Sequence, residues 1–376
     1  MPTPEPTADS ILAALAELRD PSAAGNPQLV AAGRVRVVLH PGTGVSVRLT
    51  IETGAGDDTR GAIEVAARDA IHQAFPGVSK LEVKFVQQSG SREITSEDPL
   101  PGVKNLILVM AGKGGVGKST VASNVTMSLA RSGFRVGLLD ADIYGPSVPT
   151  MFGVGGRPVS HDGKLIEPLE RFGIKLMSIG FLLEDPRAAI VWRGPMLHGA
   201  LQQFLNDVNW GKLDYLIIDL PPGTGDVALT LSQKARATGA IIVTTPQEVA
   251  LIDVYKAVSM CQKLNIPILG VVENESYFIC DGCEKKHPLF GVGGGQKVAE
   301  MAEAPLLGQI PIEPNVRIWG DQGTPVVQAV PQSAIAKAFQ DVADAVVTQV
   351  AKANASRIGT LSISREGMPT RLPIIR

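Results

Sequence analysis

The stretch Leu106-Ile107-Leu108-Val109-Met110-Ala111-Gly112-Lys113-Gly114-Gly115-Val116-Gly117-Lys118-Ser119-Thr120 decides the fold. Five apolar residues run straight into a glycine-rich segment that fits G-x-x-x-x-G-K-S/T at Gly112, Gly117, Lys118 and Ser119. A helical pattern follows over 121–131, so the motif has the context it needs: strand, loop, helix. Glycines let backbone N–H groups turn inward towards phosphate oxygens, and a helix N-terminus adds partial positive charge. Residues 112–120 (Gly112, Lys113, Gly114, Gly115, Val116, Gly117, Lys118, Ser119 and Thr120) are therefore the expected nucleotide cradle. Lys118 is expected to bridge β- and γ-phosphates, and the Ser119 hydroxyl to ligate Mg²⁺.

Further apolar runs lie at 136–139, 174–177, 215–218, 241–243 and 268–272, most of them alternating with helical segments. Strands apolar on both faces predict a parallel sheet covered by helices on both sides. The expected fold is thus an α/β P-loop domain over 105–352 with a mostly parallel sheet. Two of these strands end in carboxylates, where such sheets bind ligands. Asp219 is the candidate to hold Mg²⁺ through water, and Asp142 the candidate to position the attacking water. For either aspartate alone the alternative is a helix N-cap.

Ahead of this domain, Ile11, Leu12, Leu15 and Leu18 fall at helical spacing. Val35, Val37, Leu39 and then Val45, Val47, Leu49, Ile51 alternate as two strands around a turn at 41–44. A helix carrying Ile63, Ala67, Ala70, Ile71 and Ala74 and a strand with Leu81, Val83 and Phe85 complete a small α-β-β-α-β domain over 1–90. Residues 1–10 read as loose, 91–104 as a polar linker and 353–376 as a tail without clear periodicity.

Composition narrows the function. Lys+Arg 35 against Asp+Glu 37 leaves a net charge of −2, which argues against a general nucleic-acid or membrane-surface binder. No apolar run approaches the ~20 residues that span a bilayer, and no secretory signal is visible. Three cysteines make no disulfide framework. The expectation is a cytoplasmic protein with no nucleic-acid and no membrane partner.

Two of those cysteines form Cys280-Asp281-Gly282-Cys283, shortly before His287. A two-thiolate chelate fits three chemistries. It can be a redox pair. It can be a zinc site, to which Cys280, Cys283 and His287 bring three ligands. It can be half of an iron–sulfur site that needs four thiolates, supplied by two chains on a two-fold axis. Cys261, among Val258 and Leu264, reads as core packing.

Lys113 ahead of Gly114-Gly115 resembles the signature K-G-G-x-G-K-S/T of the deviant Walker A ATPases. In that group this lysine reaches the neighbour's phosphates across a nucleotide-sandwich dimer, which implies a homodimer here. The other reading is an exposed lysine with no such role. The ensemble more closely resembles the Mrp/ApbC family of iron–sulfur carrier ATPases. The resemblance rests on 112–119, Asp140-Ala141-Asp142-Ile143-Tyr144-Gly145-Pro146-Ser147, Asp219-Leu220-Pro221-Pro222-Gly223-Thr224-Gly225-Asp226, Val272-Glu273-Asn274, the cysteine pair, and Phe290-Gly291-x-Gly293-Gly294-Gly295. It covers roughly 104–345. It implies ATP hydrolysis with Lys113, Lys118, Asp142 and Asp219 in the catalytic set. It also implies a 4Fe-4S cluster on Cys280 and Cys283, transfer to apo iron–sulfur proteins, contact with other assembly factors, and Asn274 at the adenine edge. The first domain weakly resembles iron–sulfur assembly modules, but at 52–58 it lacks the cysteine such modules carry after their second strand. Glu275 stands where relatives usually have Met. The alternative is a MinD/ParA-like positioning ATPase acting at membrane or DNA. That reading needs a C-terminal amphipathic helix, and 356–376, with Gly359, Pro369 and Pro373, is a poor candidate for one.

Overall fold

The computed structural model describes residues 6–40, 45–142, 145–160, 163–182, 194–223, 225–280 and 282–366. The turn expected at 41–44, Ile143, Tyr144, Thr224, Asp281 and the end of the tail, 367–376, lie outside the described residues.

The first unit is built from α1 (Ala8–Ala14), β1 (Val35–His40), β2 (Val45–Glu52), α2 (Asp57–Ala74) and β3 (Val78–Val86). β1 and β2 pair antiparallel, and β2 and β3 parallel. Val47, Leu49 and Ile51, two apart, put one face of the sheet inward. Ile63, Ala67 and Ile71, four apart, put one face of α2 against the same core, with Ile11 and Leu15. The other face of the sheet is polar, with Arg36, Arg48, Glu52 and Lys84. The expectation that 1–10 is loose fails from Thr7 onward. Thr7 caps α1 with a reciprocal capping box to Ser10, which settles two backbone donors and starts the helix at Ala8.

The second unit holds an eight-stranded sheet of order β13-β10-β9-β4-β8-β5-β7-β6. Its strands are β4 (Val103–Ala111), β5 (Val136–Asp140), β6 (Leu169–Arg171), β7 (Ile174–Ser178), β8 (Leu213–Asp219), β9 (Gly239–Thr244), β10 (Ile268–Glu273) and β13 (Leu306–Gln309). All pairs are parallel except β6 with β7 at one edge. Leu106, Ile107, Leu108 and Val109 are fully buried, as are Leu216, Ile217 and Ile218. Helices cover the sheet: α3 (Lys118–Arg131), α4 (Val148–Phe152), α5 (Gly194–Asn206), α6 (Gly225–Lys234), α7 (Glu248–Lys263), α8 (Gly294–Met301), α9 (Pro314–Asp321), α10 (Val326–Ala329) and α11 (Ala334–Glu366). A two-stranded hairpin, β11 (Phe278–Ile279) with β12 (Lys286–His287), leaves the sheet after β10.

The polar face of the first sheet docks on the second unit. Arg36 ion-pairs with Glu52 on its own sheet, reaches Asp214 at 3.5 Å and lies over the Phe134 ring, 4.4 Å from its centroid. Lys84 meets Asp344 of α11 at 2.5 Å. Lys104 at 3.0 Å and Arg135 at 3.2 Å complete the ring of cations around Asp214. Burial alone would raise the Asp214 carboxyl, but the hydrogen bond from Arg135 and the charge of Arg36 hold it well below the usual carboxylate range. Asp214 lies near the start of β8 and Asp219 at its end. At ~3.3 Å per residue the docked unit sits roughly 16 Å from the phosphate loop, at the opposite, amino-terminal ends of the strands.

Two expectations change. The polar segment between the units is pinned: the fully buried Arg92 side chain pairs with Asp98 and donates to the carbonyls of Leu100 and Val103, at 2.7 and 3.2 Å. The tail expected over 353–376 is instead helical through Glu366. Val342, Val346 and Val350 anchor α11 in the core, and extending an established helix over one glycine costs only ~1 kcal/mol. Among the described residues no helix is long and apolar enough to cross a membrane.

Candidate functional site

β4 delivers the chain into residues 112–117, and α3 starts at Lys118. Gly117 is left-handed (φ 75°) and caps α3 without a side-chain hydrogen bond, so the first amides of the helix remain for an anion. Gly112 is needed for space. A Cβ there would lie 2.1 Å from the Asp253 carbonyl carbon and 2.2 Å from the Val254 nitrogen, both backbone atoms of α7. Asn274, just past β10, braces the loop from above: its Nδ2 donates to the Val116 carbonyl at 3.0 Å. A Cβ on Gly117 would lie 2.2 Å from that same Nδ2.

The structure brings Lys118, Ser119, Asp142 and Asp219 to one point. Lys118 Nζ is 2.5 Å from Asp219 Oδ1, 3.8 Å from Asp142 Oδ2 and 3.3 Å from Ser119 Oγ. Asp219 is fully buried, and its Oδ2 finds no hydrogen-bond partner among the described residues. A buried carboxylate oxygen without a donor beside a serine hydroxyl is the donor set a hydrated Mg²⁺ uses. Asp140, one strand over from Asp219, has a different task. Its Oδ1 accepts from the Asp142 amide at 3.1 Å. Its Oδ2 accepts from the amides of Ser147 and Val148, at 3.0 and 3.1 Å, and from Ser178 Oγ at 3.1 Å. It thereby pins the segment that presents Asp142. Burial and the charge of Asp219 push the Asp140 carboxyl up to about 7. Lys113 is half-buried and makes no ion pair among the described residues.

Beside the loop lies a cavity of about 640 Å³, lined among others by Gly117, Thr120, Asn274, Glu275, Pro311 and Ile312. That volume suits a nucleoside. Burial raises the Glu275 carboxyl above the ordinary glutamate range. The Pro311–Ile312 wall was missed by the reading of the sequence. The available signal was its position just past an edge strand, at the same sheet edge as the phosphate loop.

Cys280 and Cys283 stand apart from this cluster, on the separate β11–β12 hairpin that follows β10, itself two strands from β4 in the sheet order. Cys280 is half-buried and Cys283 exposed. His287 Nε2 lies 3.8 Å from Cys283 Sγ, and the three ligand atoms of Cys280, Cys283 and His287 all fall within 4.8 Å of one another. The hairpin is tied to the cavity wall: Phe278 bridges Ile312, whose amide donates to the Tyr277 carbonyl at 2.7 Å. Its base is held by buried Glu273, which accepts from Ser276 Oγ, the Gly295 amide and Gln309 Nε2 at 2.5, 2.5 and 2.8 Å. Cys261 lies in the core against Met110 Sδ at 3.5 Å, and burial pushes its thiol up to about 12. It is inert packing, as its apolar neighbours imply.

Comparison with known proteins gives the family. The family model described as ParA, NUBPL iron-transfer P-loop NTPase, matches residues 102–347. The iron-sulfur cluster carrier protein of Synechocystis is 44% identical over 353 residues, 92% of this chain and 99% of the relative. That of Deinococcus radiodurans is 44% identical over 368 residues, 98% of this chain and 99% of the relative. Among solved structures, a nucleotide-binding protein of Archaeoglobus fulgidus in complex with ADP is 42% identical with a TM-score of 0.54, covering 61% of this chain and 92% of that one.

Proposed function

The chain belongs to the iron-transfer P-loop NTPases of the ParA group, and from that membership we propose how its own residues carry an iron–sulfur cluster with ATP. It is an ATP hydrolase coupled to cluster transfer, with ATP and Mg²⁺ at the phosphate loop and a 4Fe-4S cluster as cargo delivered to apoproteins. The observation that carries this reading is the shared wall. The hairpin bearing Cys280 and Cys283 is bridged through Phe278 to Ile312, which lines the nucleoside cavity. Filling that cavity therefore bears on the segment that positions the thiols.

The geometry supports the following roles. The amides of 112–120 cradle the phosphates, and Lys118 leaves Asp219 to meet the β- and γ-oxygens. Ser119 and Asp219 would hold Mg²⁺, which supplies charge neutralisation at those oxygens. Asp142 orients the attacking water. Asn274 lies at the adenine edge, with Nδ2 on Val116 and its carbonyl end left for the exocyclic amine. We read the working form as a homodimer, in which Lys113 reaches the partner's phosphates and two thiol pairs hold one cluster. We read the chain as two domains, a docked module over 1–90 and the ATPase from 105, with other assembly factors as partners and the cytoplasm as the place of work. The module sits at the amino-terminal ends of the strands, away from the phosphate loop, and brings no thiolate, so its part is docking rather than ligation.

The positioning-ATPase alternative loses to relatives named as cluster carriers that span almost the whole chain. The longer terminal helix removes one argument against it, and ATP-dependent pelleting with liposomes is its test. The carrier reading is tested by anaerobic loading with iron and sulfide, comparing the unaltered chain with Cys280→Ala/Cys283→Ala. About four irons and four sulfides per dimer, released to an apoprotein and absent from the double variant, are expected. Loading that survives loss of both thiols sinks it.

A further inference from the structure

The carrier reading uses two thiolates per chain and has no task for His287. We propose that each protomer, on its own, holds one divalent transition-metal ion through Cys280 Sγ, Cys283 Sγ and His287 Nε2, with the fourth coordination position left open. The proposal rests on the carrier reading only in taking the thiols as metal ligands, and it adds a mononuclear state that the bridging cluster does not need.

The hairpin already gathers the three donors. β11 and β12 pair Phe278 with His287 and Ile279 with Lys286, which turns the imidazole back towards the thiols. The knuckle between them is closed by two backbone bonds, Cys280 N to Lys285 O at 3.1 Å and Glu284 N to Cys280 O at 2.7 Å. Glu284 is held at φ 56°, a left-handed conformation that the tight return of the chain requires. On a tetrahedral ion with M–S of about 2.3 Å and M–N of about 2.05 Å, sulfur and nitrogen stand about 3.6 Å apart. Cys283 Sγ and His287 Nε2 stand at 3.8 Å, so this pair needs a contraction of only a few tenths of an ångström, and Cys280 Sγ, within 4.8 Å of both, closes on the ion by at most about 1 Å.

The neighbourhood agrees. Lys286 directs its ammonium over the Tyr277 ring, 4.3 Å from the centroid. Cys283 and His287 are both exposed, which supplies the entry path that a loadable site requires. Two thiolates and an imidazole select borderline ions such as Zn²⁺, Fe²⁺ and Co²⁺ over Mg²⁺ and Ca²⁺. Among the described residues no fourth histidine, cysteine or carboxylate joins the group, and in this proposal the last position is taken by water or by an incoming thiolate or sulfide. A four-thiolate bridging cluster has no place for the imidazole. Ligation by His287 is thus the mark of the single-ion state, and the two states compete for one thiol pair.

The test is an anaerobic titration of the reduced full-length chain with Co²⁺ alone, without iron or sulfide. One Co²⁺ per chain, with the visible bands of tetrahedral cobalt and thiolate charge transfer in the near ultraviolet, is expected. His287→Ala should weaken binding by at least about tenfold, since loss of even an outer-shell partner costs 10–100-fold. It should also move the visible bands. His287→Cys should restore tight binding with stronger charge transfer from a third thiolate, which a merely structural histidine would not produce. A His287→Ala titration that matches the unaltered chain in affinity and band position overturns the proposal. So does a His287→Cys chain with no added charge transfer. Iron and sulfide loading separates the two readings. His287→Ala is expected to load a cluster as well as the unaltered chain. If the unaltered chain takes up no sulfide, the carrier reading falls while the cobalt comparison still decides this one.

Discussion

Asn274→Ala is the most informative perturbation, because the side chain serves two places at once. Its Nδ2 donates to the Val116 carbonyl at 3.0 Å, from a residue only 6% exposed, and the same residue lines the nucleoside cavity. Alanine leaves a buried carbonyl without its donor, which costs about 1–3 kcal/mol. Val116 sits in the middle of the phosphate loop, so the cost falls on the conformation that binds phosphate. At 1.4 kcal/mol per decade the loss amounts to about 5- to about 150-fold in affinity. Calorimetric titration with Mg-ATP and, separately, with Mg-tripolyphosphate resolves the two roles. Tripolyphosphate has no base, so any loss in its affinity reports the brace alone. The expected result is that both ligands weaken, ATP by more. Tripolyphosphate affinity within twofold of the unaltered chain, with ATP weakened, would refute the bracing argument and leave Asn274 as a contact for the base only.

Gly112→Ala forces a methyl group to within 2.1 Å of the α7 backbone, which has no flexible end to move aside. Overpacking of this kind costs about 1–3 kcal/mol or more, so nucleotide binding should fall by at least about tenfold in the same titration, and normal binding would show that α7 yields. At the junction of the two units, the depressed carboxyl of Asp214 contributes stability that is complete above its unfolded value of about 3.9 and is lost as pH falls through the lower folded value. Docking should therefore hold at neutral pH and loosen only below about pH 4, read as new proteolytic cleavage between residues 86 and 103. Asp214→Ala should bring that cleavage towards neutral pH, because Arg36 keeps Glu52 but loses its one carboxylate on the second unit and then faces the cations of Arg135 and Lys104. A variant as resistant as the unaltered chain counts against this account.

Much of the site was legible because its signals are local. Residues 112–120 carry their chemistry in consecutive positions, the apolar runs announce buried strands, and a two-residue gap between thiols is a chelate wherever it occurs. Asp142 and Asp219 were legible as carboxylates ending strands, but nothing local said that both would meet Lys118. The tail was misread because Gly359 and the prolines at 369 and 373 were weighed together. Only the glycine lies inside α11, and the valines upstream anchor the helix in the core.

By itself the sequence determined the composition of each strand and helix, the phosphate loop and the thiol pair, since backbone preference and residue chemistry act over a few neighbours. Tertiary structure alone decided the strand order that sets Asp140 beside Asp219, the brace from Asn274 to Val116, and the bridge from Phe278 to Ile312. It also decided the placement of the first unit at the amino-terminal ends of the strands, through Arg36 and Lys84. Those contacts join residues 34 to 260 positions apart, and distance along the chain carries no record of which burial and which charge will meet when the sheet closes.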